Sequence, residues 1–151
     1  MEIADRASLQ WHDFADFPAA LLYEVLRFRQ AIFVVEQASP YPDLDGQDER
    51  AHHLLLRVDG ELAGYIRLIP HPGEARVAIG RVAVTTPLRR QGLARRLMET
   101  VHAWCTEHEV GAVALNAAPA AQHLYRTLGY VDAPSPMMWK MSWKVSKKLG
   151  R

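Results

Sequence analysis

The chain has a single cysteine, Cys105, so no intramolecular disulfide can brace it. That fits a reducing compartment, and a cytoplasmic location is the expectation. The first residues, Met1-Glu2-Ile3-Ala4-Asp5, carry acids and no apolar core, unlike a secretory leader. No apolar run approaches the roughly 18 residues of a membrane span. A formal net charge of +1 supplies no broad field for nucleic acid or lipid. Repeats, low-complexity tracts and linker-like stretches are also missing.

What remains is ordinary for a soluble globular chain: 151 residues, 49% hydrophobic and 23% charged. One domain spanning 1–151 is expected, with enough chain for a sizeable core. Periodicity predicts a strand over Ser8–Phe14 and a helix from Pro18 through Ile32. A Pro- and Asp-rich loop then runs from Ala38 to Arg50. His53–Val58 and Leu62–Ile69 form a hairpin across Asp59-Gly60, and Val77–Val84 a third strand. A helix follows from Gly92 to His108, with Leu93, Leu97, Val101, Trp104 and Cys105 on one face. Ala112–Leu115 is a buried strand. Pro119 opens another helix that Gly129 ends, and Tyr130-Val131 with Met137–Val145 close the sheet. The order β-α-(α)-β-β-β-α-β-α-β-β predicts an α/β three-layer domain of the α+β kind, with a mixed sheet.

The chemistry concentrates where the third of the central strands meets its helix. Arg81-Val82-Ala83-Val84 leads through Pro87 into Arg89-Arg90-Gln91-Gly92-Leu93-Ala94-Arg95-Arg96. Gly92 lets backbone approach a ligand, and Ala94 keeps the first turn narrow. Free N–H groups and the helix dipole converge there, an arrangement that suits pyrophosphate. The neighbouring arginines can pair with further phosphates. A solvated basic turn with no ligand accounts for the spacing equally well. No Gly-Lys-Ser/Thr follows, and only one glycine is present, so neither a Walker loop nor a dinucleotide fingerprint is spelled.

Arg89-x-x-Gly92-x-Ala94 after this strand resembles motif A of the GNAT N-acetyltransferase superfamily (Arg/Gln-x-x-Gly-x-Gly/Ala). Downstream, Leu124-Tyr125-Arg126-Thr127-Leu128-Gly129-Tyr130 resembles its motif B, Leu-Tyr-x-x-Leu-Gly-Phe/Tyr. Where the family commonly has asparagine, seven residues before the tyrosine, this chain has Ala118, and Asn116 is the nearby polar candidate. Leu26-Arg27-x-Arg29, Phe33-Val34-Val35-Glu36-Gln37 and Pro40-Tyr41-Pro42-Asp43-Leu44-Asp45-Gly46-x-Asp48 are similar to the ElaA-like branch.

The resemblance implies a mixed, mostly antiparallel sheet whose splayed central strands hold acetyl-CoA. It implies direct transfer of an acetyl group to a primary amine of a small molecule or peptide. A non-catalytic acyl-CoA-binding module of the same fold is the alternative. Val82, Ala83 and Val84 would pair with pantetheine, and Arg90 through Arg95 would take the pyrophosphate on their N–H groups. The Val84 N–H would stabilise the oxyanion, and Tyr125 would protonate the leaving thiolate. Cofactor contacts are thereby expected from Val82, Ala83, Val84, Arg89, Arg90, Gln91, Gly92, Leu93, Ala94, Arg95, Asn116 and Tyr125.

Glu36 is the candidate base, raised by partial burial; a solvated glutamate is its rival. His52 is a candidate base or substrate contact, although strand alternation turns only one of His52 and His53 inward. Arg67 and Arg81 are unusual in strands. Either one of them contacts substrate or pairs an acid such as Glu36, or they form structural ion pairs. Asp43, Asp45 and Asp48 would attract a cationic amine or simply make turns. Their spacing puts Gly46 too early for a calcium loop, so no metal is expected. Cys105 belongs to the core. Trp139 or Trp143 would line a homodimer surface. No nucleic-acid or membrane partner is expected.

Overall fold

The structure is a computed structural model that describes residues 2–133 and 140–144. One seven-stranded sheet organises it: β1 (Ala7–Asp13), β2 (His52–Val58), β3 (Glu61–Pro70), β4 (Arg76–Val84), β5 (Ala112–Asn116), β6 (Val131–Ala133) and β7 (Lys140–Lys144). Their spatial order is β1-β2-β3-β4-β5-β7-β6. Every neighbouring pair is antiparallel except β4 and β5. That parallel pair needs a crossover, which α2 (Leu93–Glu107) supplies. Helix α1 (Ala19–Gln30) covers the opposite face, and α3 (Gln122–Thr127) follows β5. The expected mixed sheet between helices is therefore present, and the elements match the periodicity to within a few residues. Of the expected closing strand 137–145, Lys140–Lys144 is seen and Trp139 lies outside the described residues.

Alternation along β2 and β3 sorts side chains between two cores. Leu54, Leu56, Val58, Ile66 and Leu68 join Leu97, Met98, Val101 and Cys105 of α2. Leu55 and Tyr65 face α1 and pack with Val25. Gly64 sits where the sheet approaches α2 most tightly: a Cβ there would meet Leu97 Cδ1 at 3.0 Å. Cys105 is fully buried, and burial pushes its thiol up to about 12, consistent with a core role.

Helix α1 starts directly after Pro18, whose missing N–H is harmless there. It does not stop at Gln30. The chain widens into π-helical turns over Ala31–Glu36, which ends with Phe33 and Gln37 beside the sheet centre.

Strand β4 carries a bulge. Tyr65 pairs Ala83 and Arg67 pairs Gly80, so Ile66 alone faces both Arg81 and Val82. Arg81 takes the extra position with a left-handed φ of 54°. The bulge changes the parity of the strand. Val77 and Ile79 face the α2 core before it, whereas Val82 and Val84 do so after it. Without that phase change Arg81 would point into the α2 core.

Candidate functional site

The β4–β5 ladder ends at Ile79↔Leu115. Beyond it the strands part, and the β5-facing edge of Val82–Val84 has no strand partner. Thr85 N–H donates to the Ala63 carbonyl at 2.8 Å on the β3 side. By strand alternation the Val84 N–H, and the Val82 N–H two residues before it, point into the split. Two clefts meet there. One, of about 500 Å³, runs along Val82–Val84 to Arg89–Arg95. The other, of about 640 Å³, lies between Arg81-Val82 and Leu115–Ala118, under Phe33 and Gln37. Tyr125 borders both.

At the end of β4, Thr86–Leu88 make a single 3-10 turn, and Arg90 (φ 64°) and Gly92 (φ 83°) both adopt left-handed backbone. Gly92 caps α2, and a Cβ built on it would meet nothing within 4 Å. The first intrahelical acceptance is Arg96 N–H to Gly92 O, at 3.1 Å. The N–H groups of Arg90 through Arg95 thus find no acceptor among the described residues. Such a row of free donors at a helix start matches the needs of a pyrophosphate.

The arginine side chains divide differently from the expectation. Arg89 turns away from the loop: its Nε donates to the Val84 carbonyl at 2.7 Å and its two Nη atoms to Glu36. Arg95 donates to Thr127 Oγ1 and Arg96 to the Ala4 carbonyl. Arg90 makes no side-chain hydrogen bond to a described residue. Of these four arginine side chains only that of Arg90 stays available to phosphate without rearrangement, and the Arg89 N–H is itself donated to the Thr86 carbonyl at 3.3 Å, so position 89 is not a phosphate contact as expected.

Tyr125 is 5% exposed, and its hydroxyl makes no hydrogen bond to a described residue. Burial pushes its pKa up to about 12, so its hydroxyl stays protonated throughout the neutral range. The end of its helix explains its placement. Gly129 (φ 94°) receives the chain after Leu128, Gly129 N–H donates to Arg126 O and Tyr130 N–H to Tyr125 O. These two bonds are the Schellman closure that a Leu-Gly pair permits. Tyr130 is thereby held 5.8 Å, ring to ring, from Tyr125, with its hydroxyl on His102 Nε2 at 2.8 Å. Trp143 stacks on His102 at 3.8 Å and is half-buried. Asn116 ends β5 and borders the split.

Three expectations are corrected. Glu36 is not lifted by burial. The Arg89 hydrogen bonds outweigh the slight desolvation and hold its carboxyl below the usual range, and it borders neither cleft. His52 lies on the α2 face, hydrogen-bonded to Asp13 and tilted against Trp104, away from the split. Its neighbour His53 is the inward one, 1% exposed.

The acids of the 43–48 loop are not free to draw in a cation. Asp43, Asp45 and Asp48 close a network with Arg29, Arg67 and Arg81, three charges of each sign. Arg29 donates to Asp43 at 2.9 Å and Asp48 at 2.7 Å; Arg67 donates to Asp45 at 2.7 Å and Asp48 at 3.0 Å. Arg81 donates to Asp43 at 2.6 Å. Burial opposes the charge on Asp45, yet Arg67 and the Gln47 N–H hold its pKa down to about 2. His53 Nε2 meets the Asp48 carbonyl at 2.9 Å, so it is the protonated nitrogen and Nδ1 accepts from Tyr65. Burial, only partly offset by Asp48, keeps His53 neutral.

Arg29 is fully buried beside Val25, four residues before it, on a helix face whose sequence reads as apolar. Phe33 and Gln37 were missed as cleft residues because helical periodicity does not foresee a π-helical turn.

The split sheet, the free N–H row and the tyrosine define a GNAT-type acyltransferase. The acetyltransferase (GNAT) family model matches residues 19–130, and the chain belongs to that family. Within it the chain falls with the ElaA-like branch. It is 33% identical over 129 residues to protein ElaA of Escherichia coli, covering 82% of this chain and 84% of ElaA. It is 40% identical over 115 residues to a UPF0039 protein of Mycobacterium tuberculosis, covering 72% and 74%. The crystal structure of E. coli ElaA superimposes with a TM-score of 0.82 over 91% of this chain and 99% of that one, at 29% identity. An acyl-CoA N-acyltransferase from Pseudomonas aeruginosa gives a TM-score of 0.82 over 90% and 98%, at 32% identity.

Proposed function

We propose that the chain transfers an acetyl group directly from acetyl-CoA to a primary amine. The observation that carries this is the continuity of the β4 edge with the N–H row of Arg90–Arg95. An amide-bearing arm can complete the sheet at Val82–Val84, and a pyrophosphate can end on the α2 N-terminus. Bound acetyl-CoA supplies the thioester to be cleaved. The Val84 N–H, with that of Val82, donates to the oxygens lying along the edge, including the one that gains charge as the amine attacks. Ala83 holds the strand in register against Tyr65. Tyr125 keeps its proton at neutral pH and delivers it to the departing sulfur, and the proton that the attacking nitrogen gives up passes through water back to the tyrosinate, so the transfer closes without a net change in the protein. Gln91, Leu93 and Ala94 shape the first turn, and Asn116 faces the arm from β5. Glu36 serves as a brace for Arg89 and not as the base. Cys105, buried and raised, offers no acyl-enzyme route.

Thermal melting with acetyl-CoA, NAD and ATP tests cofactor choice. Saturation at about 100 times Kd adds about 2.7 kcal/mol of stability. Stabilisation by acetyl-CoA alone, followed by thiol release with an amine panel, is the expected outcome. Absence of stabilisation by acetyl-CoA would sink the proposal.

A further inference from the structure

The β4–β5 split contains one formal charge among its described lining residues, and it is positive: Arg81. The rest of that lining is apolar or neutral, with Gln37, Asn116 and Tyr125 as its polar groups. The neighbouring cleft along Arg89–Arg95 adds no carboxylate either.

Arg81 is held as a reader would be. Its Nε donates to Asp43 Oδ1 at 2.6 Å, and its Nη2 to Asp43 O at 2.9 Å and Asp45 Oδ2 at 3.4 Å. Asp43 is itself fixed from behind by Arg29. Nη1 has no partner among the described residues, and it is not a buried atom. The guanidinium lies 6.0 Å from the Phe33 ring centroid, at the roof of the cleft. Its backbone holds a left-handed φ of 54°, a conformation that a non-glycine strand residue keeps only when its surroundings impose it. The bulge sets this cation beside Val82, at the end of the edge remote from the phosphate loop.

We infer that Arg81 binds a carboxylate on the acceptor, so that the acceptor is an amine of the α-amino-acid class. This rests on the acyltransfer proposed above and names its second substrate. A polyamine or an alkylammonium offers Nη1 nothing to accept its hydrogen bond, and the carboxylates nearest Arg81, those of Asp43 and Asp45, are already engaged by Arg29, Arg67 and Arg81. An acceptor bearing its own carboxylate places that group on Nη1 and leaves its amine free to point along the β4 edge. The acidic loop thus aligns the arginine and does not attract the substrate.

The test compares acetylation of free α-amino acids, their carboxamides, the matching decarboxylated amines and spermidine, with acetyl-CoA as donor. The acids should exceed their amides in kcat/KM by about tenfold to a hundredfold, the worth of a charge-assisted hydrogen bond. Arg81→Gln should bring the acid-to-amide ratio towards one. The acid–amide comparison in the unaltered protein decides the matter even where Arg81→Gln fails to fold. Equal rates for acids and amides, a preference for spermidine, or an unchanged ratio in a folded Arg81→Gln would overturn the assignment. Calorimetric titration of the CoA-loaded protein with N-acetyl amino acids and their amides separates the two failures. No turnover with any amine, together with binding of the acids but not the amides, rejects acyltransfer and keeps the carboxylate site. CoA binding without acid selectivity rejects the carboxylate site alone.

Discussion

Glu36 and Arg89, 53 residues apart in sequence, meet through two N–H···O bonds of 2.6 and 3.0 Å. The same arginine holds the Val84 carbonyl at 2.7 Å. One ion pair therefore ties the π-helical end of α1 to the strand edge and to the start of the loop that leads into α2. Its exposed setting makes its direct contribution to stability small, and its effect is on position.

Glu36→Gln separates the brace from a base. The brace predicts a rise in KM for acetyl-CoA of about threefold to tenfold, with kcat within about twofold, on the scale of one weakened charge-assisted contact. The acid limb of the kcat profile should stay where it is. Loss of a general base would instead lower kcat by about 10²- to 10⁴-fold. Steady-state kinetics across pH 5–9 distinguishes the two.

Tyr125→Phe removes the proposed proton donor while keeping the ring against Tyr130. Where chemistry limits turnover, kcat should fall by at least about tenfold, with KM for acetyl-CoA little changed. Full turnover under single-turnover conditions would dismiss the tyrosine as acid.

Arg67→Met leaves Asp45 and Asp48 short of a partner in a nearly closed site; the Arg67 side chain is 5% exposed. Removing one member of such a pair destabilises by about 3–5 kcal/mol, because the remaining charge stays desolvated. Urea unfolding followed by tryptophan fluorescence measures it. A loss under about 1 kcal/mol would show that water already reaches the pair.

Acid should weaken the protein through the same acids. The folded pKa of Asp45 is held down to about 2 from an ordinary value of 3.8, and that of Asp48 is also lowered. Their contribution is complete above about pH 4 and is lost as pH falls towards 2. His102 works in the same direction at higher pH. Burial holds it down to about 4, so the unfolded chain binds its proton first and stability declines from about pH 6.5 to 4. Melting temperatures should step down twice on acidification. Asp45→Asn should reduce the lower step, and His102→Phe should reduce but not abolish the upper one, because burial also lowers the pKa of His53.

Much of this was legible in the chain. Asp59-Gly60 announced the β2–β3 hairpin, and Leu93, Leu97 and Val101 announced the buried face of α2. Arg89-x-x-Gly92-x-Ala94 announced the row of free N–H groups, and Leu128-Gly129 the closure that seats Tyr125. The partnerships of long polar side chains were not legible. Arg29, Arg67 and Arg81 come from three different elements, and their acids from one loop, so no local spacing records that they meet. Glu36 illustrates the same limit: its apolar neighbours suggested burial, but a partner beyond β4 governs its charge. His52 and His53 were reducible to one inward residue by alternation, but choosing between them required the register with β3.

The bulge at Arg81 acts on β4 as a frameshift acts on a coding sequence. Everything before it is read in one phase and everything after it in the other. Deleting Gly80 would act as the compensating deletion: Ile79, Val82 and Val84 would keep the α2 face in one unbroken alternation, and Ile66 would face Val82 alone. The core would survive the loss of a residue. What would go is the extra position itself, and with it the left-handed backbone and the local bend that aim Arg81.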